Sequence, residues 1–284
     1  MLEIPFALSV FLLGLIVGSF LNVVILRYNT GRSFTAGRSI CFACGKLLHW
    51  FENIPVLSYV LLRGACRGCK SKISIQYPLI EIATGLLFLA AWLSVTGAMD
   101  HGLWTTDFSR LGTDVIIPTL FYFAAFSLLV IIFVYDFYHK IIPDVFSYSF
   151  AALALTGLIV AGYLSGVDTV FWLDLAAGPI LFIPFWALWY FSGGTWMGLG
   201  DGKLVLGIGW FLGLVNGVSA VVLAFWVGAV AAIILLVLQS LNIRIPILGE
   251  LGRKSAIPFG PFLVIGTITQ FFYALDLLLL SAFI

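Results

Sequence analysis

Two kinds of side chain in this 284-residue sequence have types and spacings suited to chemistry: carboxylates at the mouths of apolar runs, and cysteines in close pairs. The clearest carboxylate is Asp201, in Gly198-Leu199-Gly200-Asp201-Gly202-Lys203-Leu204. Ionisable groups at membrane depth are costly and usually face a partner or a water-filled cavity. Nothing projects from the flanking glycines, so a water or a substrate backbone can come close to the acid. Capping of the following helix is the plainer role for Asp201, and a lone tetrapeptide decides little without a second acid. Asp136 supplies one, in Tyr135-Asp136-Phe137-Tyr138-His139-Lys140-Ile141-Ile142-Pro143-Asp144. It closes an apolar run, where the helix dipole disfavours an anion, so mere stabilisation does not account for it. Asp144 follows Pro143 and opens the next run, where an N-cap role is natural. Asp136 is therefore the preferred partner of Asp201, and His139 beside Lys140 reads as solvated.

Two aspartates on different helices at one depth can converge on one water. The ionised member takes a proton as the water attacks a peptide carbonyl, and the protonated member donates toward the carbonyl oxygen and then the leaving amine. Each positioned acid or base contributes roughly 10²–10⁴ in rate. The sequence has no Ser-His-Asp set, HExxH or P-loop. Acyl transfer to water by an aspartyl pair is the chemistry these residues fit best.

All four cysteines fall between Tyr28 and Gln76, as Cys41-Phe42-Ala43-Cys44 and Cys66-Arg67-Gly68-Cys69. Each pair can set two sulfurs on one turn, and two such turns make a tetrahedral thiolate cage suited to Zn²⁺. Gly45 and Gly68 are expected to relieve crowding where amides turn toward the sulfurs. Two disulfides are disfavoured in a reducing cytosol, and a duplicated pair favours metal over a redox CxxC. Metal binding would supply folding free energy to a loop with little core of its own. Its basic residues suit anionic headgroups. His49, beside Trp50 and Phe51, reads as packed or surface rather than as a fifth ligand. Glu52 and Asn53 read as a turn with unsatisfied polar groups, and Glu81 as an interfacial charge at a helix start.

These groups need helices to position them. The chain is 62% hydrophobic and 10% charged, against about 25% charged in ordinary soluble domains, so the expected fold is an all-α polytopic membrane protein. Eight transmembrane helices are expected, near 4–26, 77–97, 115–135, 145–163, 171–192, 203–217, 219–240 and 257–282, the first being retained rather than cleaved. The glycine-rich sixth is the least secure. Thirteen of the fourteen Lys and Arg fall on the side of the first long loop, and Arg110 alone falls on the other. The positive-inside rule then makes that loop cytoplasmic, with both termini outside. The two spans between Asp136 and Asp201 return them to the same face. Asp100, Asp107, Asp114, Asp168 and Asp174 read as solvated carboxylates on the opposite side, with Asp276 near the outer end of the last span. Gly18 and Ser19 allow close helix approach, and Asn22 can hydrogen-bond to a neighbour. Ile257-Pro258-Phe259-Gly260-Pro261-Phe262 opens the last span near the aspartates, as a substrate-facing edge or a packing kink.

With these residues in view, the sequence resembles the type IV prepilin peptidases, bifunctional leader peptidases and N-methyltransferases that are GxGD-type membrane aspartyl proteases. The resemblance covers nearly the whole chain. It rests on Gly18-Ser19-Phe20-Leu21-Asn22-Val23-Val24, the two CxxC pairs, Glu52-Asn53-Ile54-Pro55 with Ser58-Tyr59, Leu62-Arg63-Gly64, and Tyr77-Pro78 with Glu81. Asp136 with Ile142-Pro143-Asp144, and Gly198-Leu199-Gly200-Asp201 with Lys203-Leu204, complete it. Phe42 stands where the family commonly has proline. The resemblance implies a multi-pass enzyme of the bacterial cytoplasmic (inner) membrane, its active site and zinc loop facing the cytoplasm. Such an enzyme cuts the short basic leader from type IV prepilins and type II secretion pseudopilins, then methylates the new N-terminal residue from S-adenosylmethionine. Asp136 and Asp201 would be catalytic, supported by Gly198, Gly200, Lys203, Pro143 and Asp144. Cys41, Cys44, Cys66 and Cys69 would hold structural Zn²⁺.

The expected division is a first helix over 1–26, a cytoplasmic Cys₄ domain over 27–76 and a membrane protease core over 77–284. The expected partners are prepilin and pseudopilin substrates and the lipid bilayer, with no nucleic acid; a net charge of +1 carries no message about the last. A presenilin-like intramembrane protease also pairs Tyr-Asp with GxGD, but it carries a Pro-Ala-Leu tripeptide absent here and has no Cys₄ loop. A proton-coupled transporter would place its acids near the bilayer midplane, and a zinc-stabilised assembly factor would need no acid pair.

Overall fold

Lipid offers the backbone no hydrogen-bond partners, so long apolar runs satisfy themselves as α-helices. The computed structural model describes residues 3–35, 37, 39–97, 112–241 and 257–278. Its helices are α1 (Glu3–Arg27), α2 (Leu57–Leu61), α3 (Gln76–Val95), α4 (Thr113–His139), α5 (Asp144–Ser165), α6 (Thr169–Ser192), α7 (Leu199–Ser240) and α8 (Gly260–Tyr273), with a 3₁₀ turn at Trp50–Asn53. Among the described residues there is no strand, only the isolated bridges Ile40–Leu47 and Ala65–Lys72. Arg38, Asp100, Asp107, Arg110, Arg244, Arg253 and Lys254, which entered the charge pattern, lie outside the described residues, as does the end of the expected eighth span.

Among the described residues six helices, α1 and α3 to α7, are long and apolar enough to cross a membrane. The expected sixth and seventh spans share the 42-residue α7, and the eighth falls on the 14-residue α8. The helix α7 is broken at Gly213, whose φ of 77° and ψ of −178° are closed to other residues. A Cβ on Gly217 would lie 3.4 Å from the Gly209 Cα, where eight residues of straight helix would separate them by about 12 Å. The chain therefore doubles back at Gly213. The reversal is closed by Asp174 of α6, whose Oδ1 accepts the Leu214 N–H at 3.0 Å. Asp174 is thus half-buried and bonded rather than solvated; Asp168, by contrast, is exposed and caps α6 by accepting the Phe171 N–H. Asp276 lies beyond the last helix, which ends at Tyr273 with Ala274 in a left-handed conformation.

The chain forms two compact units, Met1–Ile131 and Ile132–Ile284, with the boundary inside α4. In the first, α1 lies against α3. Gly14 and Gly18 permit the contact: a Cβ on Gly14 would stand 2.6 Å from the Gly85 Cα, and one on Gly18 would stand 2.7 Å from the Glu81 Cα. The Asn22 amide crosses to the Tyr77 carbonyl at 3.3 Å. In the second unit α7 is the centre, packed on by α5, α6 and α8. Phe150, Leu204, Val205, Ile208 and Leu263 are fully buried there.

Candidate functional site

The last turn of α4 carries Asp136, which is 4% exposed. Lys140, at φ 56°, ends the helix by donating its N–H to the Asp136 carbonyl at 2.7 Å. The side chain of Asp136 turns inward, where Oδ2 accepts the N–H of Gly260, the first residue of α8, at 3.0 Å. A Cβ on Gly260 would stand 2.7 Å from that oxygen and 3.1 Å from Ile142 Cδ1, while one on Gly200 would stand 3.1 Å from Ile142 Cβ. The buried Ile142 thus has Asp136 and Gly260 on one side and the start of α7 on the other. Asp201 lies in that start, half-buried, and the two carboxylates are within each other's electrostatic reach.

Asp201 is the third residue of α7 rather than its cap, and among the described residues its carboxylate bonds to no amide of its own helix. A Cβ on Gly198 would make only ordinary contact, 3.8 Å from Asp201 Oδ2, so the glycine leaves that carboxylate open. Asp144 is likewise not the N-cap expected of it. Pro143 takes the N-cap position in extended conformation, and the side chain of Asp144 leaves the helix to pair with Lys203 Nζ at 2.7 Å. That ammonium also lies 5.2 Å from the centre of the Tyr148 ring. The pair ties the start of α5 to the start of α7. His139 is exposed and packs on Tyr135, consistent with a solvated role.

In the Met1–Ile131 unit the two CxxC turns are built alike. The Cys41 N–H donates to the Lys46 carbonyl and the Gly45 N–H to the Cys41 carbonyl; the Cys66 N–H donates to the Ser71 carbonyl and the Lys70 N–H to the Cys66 carbonyl. The left-handed residues are Gly45 (φ 71°) and Lys70 (φ 59°), so Lys70, not Gly68, is the counterpart of Gly45. The four sulfurs all lie within 4.8 Å of one another, a set able to hold a metal ion. The amides of Cys44 and then Ala43 draw the Cys41 thiol down to about 6. The Ser71 hydroxyl, 3.1 Å from the Cys69 sulfur, lowers that thiol as well.

Glu52, expected to be unsatisfied, is buried and fully engaged. It accepts the His49 N–H at 2.8 Å and the Lys46 ammonium at 2.9 Å. These two contacts hold its carboxyl below the ordinary range, the amide more than the ammonium. The contacts pin the first cysteine turn to the 3₁₀ turn, with His49 stacked on Phe51. Glu81 is a buried, bonded group rather than a charge in the first turn of its helix: it is 6% exposed and accepts the Val56 N–H at 2.7 Å.

Sequence reasoning marked the Gly260 segment only as an edge or a kink, carried Ile142 only as part of the Ile142-Pro143-Asp144 motif, and missed Ser71. An Ile-Pro-Asp run after an acid and a Ser two residues past a Cys are signals too common to be informative alone.

Comparison with known proteins bears on both units. The bacterial peptidase A24 N-terminal domain matches residues 12–95, and the type IV leader peptidase family matches residues 123–233. A prepilin leader peptidase/N-methyltransferase of Myxococcus xanthus is 36% identical over 242 residues, which are 81% of this chain and 63% of that protein. Proteins of the same description from Xanthomonas campestris (30% identical, 93% of this chain, 90% of that protein) and Vibrio cholerae (29%, 92% and 94%) are similar nearly end to end. No solved structure matches. Helical architecture, coverage and identity together mean that the chain belongs to the type IV leader peptidase family.

Proposed function

We propose that this chain is a membrane aspartyl endopeptidase that removes the short basic leader of type IV prepilins and type II secretion pseudopilins, and that it N-methylates the new N-terminal residue from S-adenosylmethionine. The carrying observation is the approach of Asp136 and Asp201 around Ile142. A carboxylate pair sharing one proton has a base for the attacking water and an acid for the peptide oxygen and leaving amine. The Gly260 amide orients Asp136, while the partly open Asp201 faces the incoming peptide and water. Pro143, Asp144 and Lys203 hold the helix starts in register, Gly200 lets the start of α7 close on Ile142, and Gly198 leaves Asp201 uncovered.

Zinc is the metal that the cysteine set suits best. Tetrahedral Zn–S bonds of about 2.3 Å put sulfurs about 3.8 Å apart, and Cys41 and Cys69 stand at 3.9 Å. The ion would join two turns otherwise linked by few bonds and so supply folding free energy to residues 27–76. Site and cysteine loop face the cytoplasm of a bacterial inner membrane, a reading supported by the distribution of Lys and Arg.

The experiment is leader cleavage of a purified prepilin by the full chain in detergent or lipid, with labelled S-adenosylmethionine present and zinc measured in the same preparation. The reading expects a shortened pilin carrying label and one zinc per chain, lost in a Cys41→Ser/Cys69→Ser variant. An intact leader with the wild-type protein would retire the peptidase assignment.

A further inference from the structure

The short helix α2 lies between the two cysteine turns, in a stretch from Ile54 to Leu62 that has no charged residue. One bond sets its depth. Glu81 accepts the Val56 N–H at 2.7 Å, and Glu81 stands five residues inside α3, about 8 Å along that helix from its start at Gln76. Gly18 of α1 meets the Glu81 Cα at the same level, and α1 continues nine residues beyond it to Arg27, about 13 Å further. Both helices therefore run past the start of α2 before they end. Leu79 and Ile82, on either side of Glu81 in α3, are exposed, so hydrocarbon reaches the protein at this depth. A loop standing clear of the membrane would not be tied there.

The segment is built for such a place. Ile54, Tyr59 and Leu62 line one cavity together with Ile16, Phe20 and Val23 of α1. Away from it, Leu57, Val60 and Leu61 are 50, 62 and 72% exposed. A helix that is apolar all round belongs in apolar surroundings. The amides of Ser58, Val60, Leu62 and Gly64 donate to the carbonyls of Ile54, Val56, Ser58 and Tyr59, so the backbone asks little of water. The Val56 amide, at a φ of 59°, has the Glu81 carboxylate instead. Arg27 and Arg32 line the same cavity and offset that buried acid. Arg63 and Gly64, both left-handed, turn the chain back, and the exposed Arg63 is placed to meet headgroups.

We propose that residues 54–62 form a re-entrant segment seated in the leaflet on the cysteine loop's side, with Leu57, Val60 and Leu61 against acyl chains and Glu81 as its tether. The two cysteine turns that flank it are then held at the membrane surface rather than free in solvent. This goes beyond the function proposed above and needs only a chain that spans the bilayer.

The test uses Val60→Cys, Leu61→Cys and, for comparison, Thr35→Cys in the full chain, labelled with nitrobenzoxadiazole in the presence of zinc and placed in lipid nanodiscs. Thr35 is exposed, eight residues past the end of α1. Wild type treated alike reports any label on the native cysteines, and elution as a single species reports folding. Interfacial helices bury their apolar face by about 5–10 Å, so the labels at 60 and 61 should lose most of their emission to brominated acyl chains and little to aqueous iodide. The label at 35 should do the reverse. Quenching by iodide at 60 and 61 as strong as at 35 overturns the seating. Protection from both quenchers overturns lipid as the occupant and leaves a protein contact, such as a second copy of the chain. Glu81→Leu removes the acceptor of the Val56 amide and should open the labels at 60 and 61 to iodide, whereas Glu81→Gln, which keeps an acceptor, should retain the wild-type pattern. Unchanged protection in Glu81→Leu, or its loss in a well-folded Glu81→Gln, overturns the tether.

Discussion

Asp136 and Asp174 do the same architectural work in two places of the Ile132–Ile284 unit. Asp136 accepts the amide of Gly260, which opens α8, and Asp174 accepts the amide of Leu214, just beyond the reversal in α7. Each therefore satisfies a donor that a helix start leaves without a partner. Each also faces a glycine with no room for a Cβ, which would stand 2.7 Å from Asp136 Oδ2 at Gly260 and 2.5 Å from Asp174 Oδ1 at Gly213. What separates them is Asp201, brought within electrostatic reach of Asp136 and left partly open. A carboxylate that caps a distant helix is architecture; a second acid over the same space makes it available for chemistry. In the proposed function Asp136 has both roles, and Asp174 has the first.

The largest expected effect separates these roles. In Asp136→Asn and Asp201→Asn the amide oxygen can still accept a bond, so the Gly260 contact survives while acid–base chemistry is lost. Leader cleavage should fall by about 10²–10⁴-fold or more in each, with thermal unfolding in detergent little changed. Cleavage at the wild-type rate in either would remove that residue from the reaction. Next comes Gly260→Ala, whose new methyl group must displace the Asp136 carboxylate. A displacement near 1 Å can cost on the order of 10²-fold. The signature is a fall in kcat with Asp136 still present, and an alanine tolerated without loss would show that the carboxylate has other ways to reach its geometry.

How far the sequence carried these distinctions depends on the range of the interactions behind them. The sulfur cluster was legible because each CxxC turn is local and the loop between the pairs is short. The common face of Asp136 and Asp201 followed from counting crossings, which needs only the lengths of apolar runs. Gly18 and Asn22 announced through residue type that α1 meets a neighbouring helix, though not that the neighbour is α3. Glu81 did not announce its burial, because that depends on how closely α1 approaches, and Gly14 and Gly85 set the approach from either side. The work of Asp174 was hidden for a similar reason: it exists only because α7 reverses at Gly213, and a glycine-rich run contains many residues able to reverse. Lys70 in the left-handed region shows the limit of local rules as well, since the hydrogen bonds of the second cysteine turn impose there what the first turn assigns to glycine.

Removing the architectural acid should leave the chemistry in place. Asp174→Ala strands the partly buried Leu214 amide; a fully buried unsatisfied donor costs about 1–3 kcal/mol, and this one should cost less. The unfolding midpoint should drop, whereas kcat of the protein that remains folded should stay near wild type. A loss of kcat as large as that of Asp136→Asn would end the contrast between the two acids.

The smallest effect is expected at the Lys203–Asp144 pair, which bears on how finely Asp201 is positioned. The ion pair is short, at 2.7 Å, but the Asp144 side chain is 62% exposed. Water and salt screen such a pair, and comparable pairs contribute about 0.2–1 kcal/mol. If Lys203 acts only by fastening the start of α7, Lys203→Met and Asp144→Asn should each lower cleavage a few-fold. The double variant should then be no worse than either single one, since both remove the same contact. Added salt should shrink the wild-type advantage for the same reason. If Lys203→Met instead loses activity on the scale of the aspartate variants while Asp144→Asn does not, the ammonium is touching the reacting peptide. The site would then contain three charged groups acting on substrate rather than two acids and a fastening.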